Sequence, residues 1–415
     1  MKLAFRLKKK GFQVVLLDRN NYHTFQPLLY QVATAGLEPD SIGGPIRKQL
    51  EPDPNFFFRM AKVEQIDAAE KKVFTEIGEL SYDYLVIAAG SKTNYYGIRS
   101  IMKNAFSLKK IPDALDFRHH ILQNFEMAVN HHSRKQISPF LNIVIAGGGP
   151  TGVEMAGALG ELKKSVLPKD YPEMDFSGMK IILVEGQHRL LGGMSPRSSE
   201  RARRYLQKFG VEVKLNTLVD TFDGERVKLS NGEQIESRSL LWASGVKGNL
   251  IGGLPEEAIE SNRMRVDRFN RVKGTEGIFA IGDLALMKTG NYPNGHPMVA
   301  PVAIQQSRLL ADNLIALRKG EKMKEFRYFD KGTMATIGRN KAVVDLPGNI
   351  HMGGLPAWVI WMFVHLVSIY GLRNKIVVLM NWIYNYFTYD KGTRLIMRRF
   401  KPAFLSRKEQ SKEVA

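Results

Sequence analysis

Leu141-Asn142-Ile143-Val144-Ile145-Ala146-Gly147-Gly148-Gly149-Pro150-Thr151-Gly152 is the stretch on which the fold turns. Its apolar start predicts a buried strand, and the glycines carry the chain through G-x-G-x-x-G into a helix opened by Pro150. Gly147 permits the tight turn, Gly149 lets the backbone approach a pyrophosphate, and Gly152 lets helix and strand pack closely. The helix is expected to run to about residue 166, and 180–185 reads as the next strand, ending on Glu185. A carboxylate there can accept both hydroxyls of an adenosine ribose and repel a 2′-phosphate, so NADH is favoured over NADPH. The spacing to Glu185 is long because 162–179 forms an inserted connection, and His188 and Arg189 beside it bear on the discrimination. A glycine-rich turn with no ligand is the plainer alternative.

Upstream, about half of a second such unit stands at the start of the chain. Residues 1–10 read as the last turns of a helix closed by Gly11, and 12–18 as a strand ending on Asp18. No first strand or glycine loop precedes them. The expectation is that Met1 is an internal methionine and that the functional protein extends about 20 residues further upstream, the length of the missing strand and loop. Residues 19–46 look irregular, with short strands at 56–58, 61–67 and 72–76. The run 84–90 has the pattern of a buried parallel strand. A long helix is expected over 112–131, a helix over 196–209, and strands at 211–216, 226–229 and 240–243. A buried strand at 277–282 leads to Gly282-Asp283, followed by a helix over 303–318 and strands at 333–337 and 341–345. One βαβ unit is nested inside another, so the fold class is α/β: two nested Rossmann-like dinucleotide-binding domains followed by C-terminal amphipathic helices.

Composition narrows the chemistry. With 44% apolar and 24% charged residues over 415 positions, the chain is globular and suggests two or three domains. Cysteine is absent, which excludes disulfides, thiolate metal sites and thiol catalysis. The net charge of +19 favours anionic partners. Residues 1–10 lack the apolar core of a secretory signal, and a cytoplasmic chain is the plain reading. The tail differs in kind. Residues 355–370 and 376–389 are strongly apolar, hold three of the four tryptophans and flank a polar turn at 371–375. Each is shorter than the ~18–20 residues needed to cross a bilayer. From Lys391 onward eight basic residues face two acidic ones. The tail is either a helical hairpin packed in a core or a homodimer interface, or an in-plane anchor on an anionic membrane surface. Aromatic density and charge favour the anchor.

Five further positions carry chemistry or look as if they do. Asp18 is the counterpart of Glu185 in the half unit, although a strand-end acid alone is ordinary. Asp283 can bond a sugar hydroxyl or cap a helix. Glu154, in the first turn after the glycine loop, either complements the helix dipole or assists proton traffic. Gln305 and Gln306, in Ala300-Pro301-Val302-Ala303-Ile304-Gln305-Gln306, read in isolation as helix-surface residues.

Together these pieces resemble one family. Asp18-Arg19-Asn20-Asn21-Tyr22-His23-Thr24-Phe25-Gln26-Pro27-Leu28-Leu29-Tyr30 and on to Gly36 is similar to the flavin-contacting segment of the type II NADH:quinone oxidoreductases. So are Gly147 to Glu154, Leu241-Trp242-Ala243-Ser244-Gly245-Val246, Gly282-Asp283 and Thr336-Ile337-Gly338-Arg339-Asn340-Lys341-Ala342. The resemblance covers about residues 8–397. It implies FAD bound by 1–111 and 266–346, NADH bound by 112–265, and a membrane-anchoring region at 347–415. It places Asp18, Arg19 and Val63 near the FAD adenosine, Gly90 in the crossing strand, and Gly282-Asp283 on the flavin's sugar chain. Ala300 and Pro301 fall beside the isoalloxazine. NADH falls to Gly147, Gly149, Gly152, Glu185 and Gly245, quinone to Gln305, and the catalytic charge-relay position to Glu154. The family pattern has Gln where Pro301 stands, so no amide role transfers there. The implied activity is NADH oxidation and quinone reduction through FAD without ion pumping, on the cytoplasmic face of the cell membrane. Neither a metal nor nucleic acid is expected as a partner.

Disulfide reductases and sulfide:quinone reductases share this architecture but need cysteines. A soluble ferredoxin-type reductase fits the cofactor motifs but not the tail. An NADH-binding membrane protein that has lost FAD is the non-enzymatic alternative.

Overall fold

The computed structural model describes residues 1–50, 53–131, 133–390 and 392–400. Of the basic tail, Lys391 and residues 401–415 lie outside the described residues. The chain divides into two compact units. One comprises Met1–His23, Pro45–Lys92 and Val246–Lys331, and the other Thr24–Gly44, Thr93–Gly245 and Gly332–Ala415.

In the first unit, the strand Val14–Asp18 pairs in parallel with Phe56–Met60, and Ile278–Ala280 with Leu85–Ile87. Val63–Asp67, Lys72–Thr75 and Gly78–Ser81 form an antiparallel meander. The third of these strands was not expected, since Gly78-Glu79-Leu80-Ser81 offers a single large apolar residue to read. The helix Ala300–Arg318 packs with Lys2–Leu7: Leu3, Leu7, Leu310 and Leu314 close on Phe279 and Ile281. Burying each such side chain contributes about 1.5–3 kcal/mol. The helix begins at Ala300, three residues before the expected 303. Pro301 sits in its first turn, where a fixed φ suits the helix and the missing N–H has no partner to lose.

The second unit is built on a four-stranded parallel sheet in the order Val211–Lys214, Ile181–Val184, Ile143–Ala146, Ser239–Trp242. Every residue of the last three strands is buried, as expected where both sheet faces are covered. The central strand starts at Ile143 rather than 141, because a helix unforeseen in the sequence, Arg134–Leu141, occupies the residues before it. Residues 24–44, expected to be irregular, contain the short helices Leu29–Ala33 and Pro39–Ile42. The glycine-loop helix Pro150–Ser165 lies directly on the strand Thr333–Gly338. A Cβ on Gly157 would stand 2.0 Å from the Ile337 carbonyl oxygen, so only glycine permits this approach.

That strand belongs to an antiparallel sheet with Lys341–Leu346 and Ile350–Gly354. It leads into the tail helices Leu355–Ser368 and Leu372–Thr388. The second helix starts at Leu372, inside the expected turn, after Gly371 at φ +81°. Both helices carry an exposed apolar stripe, with Leu355, Val359, Phe363 and Val367 on the first and Leu372, Ile376, Met380, Ile383 and Phe387 on the second. The three- and four-residue spacings put each set on one helix face. Among the described residues no helix is long and apolar enough to cross a membrane.

Candidate functional site

The glycine loop has the geometry its residues demand. Gly147 lies at φ +110°, and a Cβ there would meet the Ala243 carbonyl at 2.7 Å. A Cβ on Gly152 would stand 1.8 Å from the Gly147 oxygen, whereas space beside Gly149 is open. Gly149 is the N-cap of the helix and Pro150 its first residue, with no side-chain cap. The first-turn N–H groups therefore face outward as a site for an anion. The Glu185 carboxylate turns back on this loop, accepting from the N–H of Gly148 at 2.6 Å and of Gln187 at 2.8 Å. Arg189 donates to the carbonyls of Met194 and Gly192, which holds its guanidinium in its own loop. Gly245, at φ +87°, accepts from the Asn94 N–H and has the Tyr96 hydroxyl against it. The five residues assigned to NADH thus all lie in the second unit, together with Glu154.

Glu154 is buried on the flank of the same helix. Its Oε1 accepts a long 3.5 Å bond from the Thr336 N–H. Burial pushes its carboxyl up to about 8, outweighing that bond and the nearby Trp361 indole, so the side chain is neutral at pH 7. The Trp361 N–H has no partner at hydrogen-bond geometry although the residue is buried. Carboxyl and indole both open into a cavity of about 130 Å³ bounded by the helix at 150–165, the segment at 30–36 and both tail helices. Aromatic rings dominate its wall: Tyr30, Trp358, Trp361, Trp382, Tyr386 and Tyr389. Trp361 stacks on His365 at 4.1 Å and meets Tyr30 edge-on. Burial drives His365 down to about 4, so it too is neutral. Trp382 donates to Gln31, which donates to the Tyr30 hydroxyl, fixing one wall by a hydrogen-bonded chain.

The residues assigned to FAD, Asp18, Arg19, Val63, Gly90, Gly282, Asp283, Ala300 and Pro301, all lie in the first unit. Asp18 accepts from the Asn20 N–H at 2.8 Å. Asp283 accepts from the Ser91 hydroxyl at 2.6 Å, which ties it to the residue after Gly90. Gly90, at φ +68°, has open space where a side chain would be, and Gly282 lies at φ +73°. Ala300 and Pro301 open the helix that ends at Arg318. Gln305, also in this unit, is closed on Phe329, donating to its carbonyl at 2.9 Å and accepting its N–H at 3.0 Å. Its neighbour Gln306 is not a surface residue at all. It is fully buried and its Oε1 accepts from the Gly282 N–H at 2.7 Å, holding the Gly-Asp turn in place.

Comparison with known proteins accounts for this combination. Residues 1–307 match the pyridine nucleotide-disulphide oxidoreductase family, and residues 331–389 match the NDH2 C-terminal domain. The chain is 34% identical over 408 residues to the type II NADH:quinone oxidoreductase Ndh of Mycobacterium tuberculosis, covering 94% of this chain and 86% of that one. The chain belongs to the type II NADH:quinone oxidoreductase family. Its fold is that of NDH2 from Plasmodium falciparum, solved in complex with NADH, with a TM-score of 0.88 at 21% identity over 96% of this chain and 97% of that one. A sulfide:quinone oxidoreductase from Aquifex aeolicus shares the fold at a TM-score of 0.71 and 18% identity, over 93% of this chain and 92% of that one.

Sequence reading missed the cavity wall. In sequence the segment 30–36 and the tail tryptophans stand more than 300 residues apart. The pairing of Gln31 with Trp382 leaves no local signal. Gln306 was legible only as half of a Gln-Gln pair.

Proposed function

We propose that this chain oxidises NADH and reduces a membrane quinone: NADH + H⁺ + quinone gives NAD⁺ + hydroquinone. The observation that carries the reading is the buried Glu154 carboxyl, held largely protonated, beside the Trp361 indole N–H, both opening into an aromatic cavity that the tail helices help to line. A planar ring with a carbonyl acceptor suits that lining. The indole N–H would orient the carbonyl, and the protonated carboxyl would supply the proton that the oxygen takes up with the electron pair. NADH would lie with its pyrophosphate over Gly149 at the helix N-terminus and its adenosine ribose on Glu185. Arg189 is bonded into its own loop rather than turned to the acid, and the Glu185 carboxylate would repel a 2′-phosphate, which favours NADH over NADPH.

FAD is the cofactor of this reading, and the first unit fits it through the open backbone at Gly90 and the Ser91–Asp283 pair beside it. When bound it supplies the two-electron step between nicotinamide and quinone. Asp18 and Arg19 would meet its adenosine and Asp283 its sugar chain. We assign the first unit to FAD, the sheet of the second to NADH, and the tail to the membrane. The exposed stripes of the tail helices would dip into the headgroup region of an anionic cytoplasmic leaflet, bringing a lipid-soluble substrate to the cavity. A homodimer formed through the same helices is the second reading of those stripes.

The test is NADH-dependent reduction of a short-chain quinone by the protein on anionic vesicles, alongside Glu154→Gln. The reading predicts quinone reduction by the parent protein and a loss of about 100-fold in the variant. A parent protein that floats with vesicles and oxidises NADH but leaves quinone untouched refutes it.

A further inference from the structure

The cavity has a second carboxylate that the reaction above does not use. Glu161 follows Glu154 by seven residues on the glycine-loop helix, two turns on, and both side chains line the cavity with Ala158 between them. Seven residues rise about 10.5 Å along the axis. The small Ala158 leaves the wall open along that distance. The two acids differ in setting: Glu154 is buried, while Glu161 lines the same cavity and is half-buried, so solvent reaches it. The Glu161 Oε1 accepts from the Arg339 backbone N–H and lies against Gly338, where a Cβ would stand 2.9 Å from it. The neighbouring guanidinium does not neutralise it. Arg339 instead stacks on Tyr389 and Tyr386 and donates to the Asn385 carbonyl. Among the described residues Glu161 has no ion-pair partner. The carboxylate accepts this one backbone bond and forms part of the cavity wall.

We propose that Glu161 is the proton inlet of this cavity, returning a proton to Glu154 after each turnover. The inference rests on the quinone reading above. Hydroquinone carries two new hydrogens, and one originates in the hydride of NADH. For the other, the Glu154 O–H bond breaks as an O–H bond forms on a quinone oxygen, the electron pair of the reduction coming from NADH. Glu154 is left as a carboxylate. Once hydroquinone leaves, the cavity has room for several waters, each taking about 30 Å³. The Glu161 carboxylate takes a proton from solvent and passes it through them to the Glu154 carboxylate, returning to its ionised form, so one proton is taken up per NADH. The other groups facing this path are the Tyr30 hydroxyl, the Arg339 guanidinium and the phenols of Tyr386 and Tyr389. Lys341 stands over the Phe209 ring that abuts Gly338. Burial and the nearby Glu154 raise Tyr30 well above the ordinary phenol range, so it remains protonated throughout.

The test compares Glu161→Gln and Glu161→Asp with the parent protein on anionic vesicles. The ratio of quinone reduction to ferricyanide reduction is followed as pH is varied, with and without added acetate. Ferricyanide accepts electrons without a proton. The expected result is a ratio lowered about tenfold in Glu161→Gln near about pH 8, recovering toward about pH 6 and on addition of acetate, and largely kept in Glu161→Asp. A ratio within about twofold of the parent at every pH overturns the proposal, and so does an equal loss in both variants without acetate rescue. A parent protein that reduces no quinone defeats the proposed function and this inference together, whereas an indifferent Glu161→Gln in an active protein defeats this inference alone.

Discussion

Replacing Glu154 with Gln keeps the shape of the side chain and removes its proton equilibrium, so the difference between parent and variant isolates what that equilibrium costs the fold. An unfolded chain releases this proton near 4.5, whereas the buried carboxyl holds it to about 8. A raised carboxyl contributes stability that is fully present below 4.5 and is lost as pH rises through about 8. The span is 8 − 4.5, about 3.5 units, and at 1.36 kcal/mol per unit it sets a ceiling of about 5 kcal/mol. Water entering the cavity will relieve part of this, leaving about half, or roughly 2–3 kcal/mol. For a unit of this size each kcal/mol moves Tm by about 2–4 °C. Melting of the parent protein and Glu154→Gln, followed by circular dichroism at about pH 5 and about pH 8.5, should therefore show the variant gaining roughly 5–10 °C on the parent between the two conditions. Quinone reduction by the parent should fall over the same range as the proton donor is lost. A Tm difference that stays flat with pH would refute the burial argument, and with it the claim that a neutral acid waits in the cavity.

Other residues give independent tests. Asp345 accepts from the Ser195 N–H and the Ser198 hydroxyl at 2.6 Å each and pairs with His351. Burial works against its ionisation, but these bonds win and hold its carboxyl below the ordinary value. Asp345→Ala should cost roughly 2–4 kcal/mol near neutral pH, and the cost should shrink as pH falls below about 4, as read by denaturant melting. Gln306→Leu leaves the half-buried Gly282 N–H without its partner. It should cost about 1–3 kcal/mol and loosen retention of bound flavin, measured by fluorescence of the released cofactor. Glu185→Ser removes the acid of the glycine-loop sheet, and the ratio of kcat/KM for NADPH to that for NADH should rise at least about tenfold. Phe363→Glu with Phe387→Glu puts charge into the exposed stripes, and co-sedimentation with anionic vesicles should be lost while the melting temperature holds.

How much of this was legible follows from how local each signal is. The glycine loop announces itself because one short stretch must contain the strand, the turn and the helix start, and each glycine is forced by a contact within that stretch or its neighbouring strand. Glu154 was visible as a position but not as a neutral acid. Its burial comes from Trp361 and Thr336, about two hundred residues away in the chain, and a helix-dipole reading would have left it ionised. The tail helices were plain as apolar runs. That each has two faces, one of exposed Leu, Ile, Val and Phe and one of Trp and Tyr turned to a cavity, required the partners at residues 30–36, which sequence pattern labels only as irregular. Errors at the helix starts, 300 against 303 and 372 against 376, share one cause. Proline and polar residues in a first turn read as loop, although that turn is where unpaired donors make them harmless.

One helix joins the two ends of the proposed chemistry. In the proposed reading Pro150–Ser165 would present its N-terminus to the nicotinamide dinucleotide, and its flank, through Glu154, Ala158 and Glu161, lines the cavity proposed for quinone. Glu154 is five residues past the loop glycine at 149, a rise of about 7.5 Å. Gly157 locks the same helix against the Ile337 backbone with no side chain between them. Such a contact cannot slide, so the loop and the carboxyl keep a fixed spacing within this unit. Gly157→Ala would separate the two roles. A methyl group forced against that carbonyl must lift the helix from the strand, which shifts Glu154 away from Trp361 and Thr336 while leaving Gly147, Gly149 and Gly152 intact in sequence. The variant should therefore lose quinone reduction before it loses NADH binding, read by titrating NADH against intrinsic tryptophan fluorescence. Equal loss of both would mean that the helix moves as one rigid body with its loop. Retention of both would mean that the close approach at Ile337 bears no load.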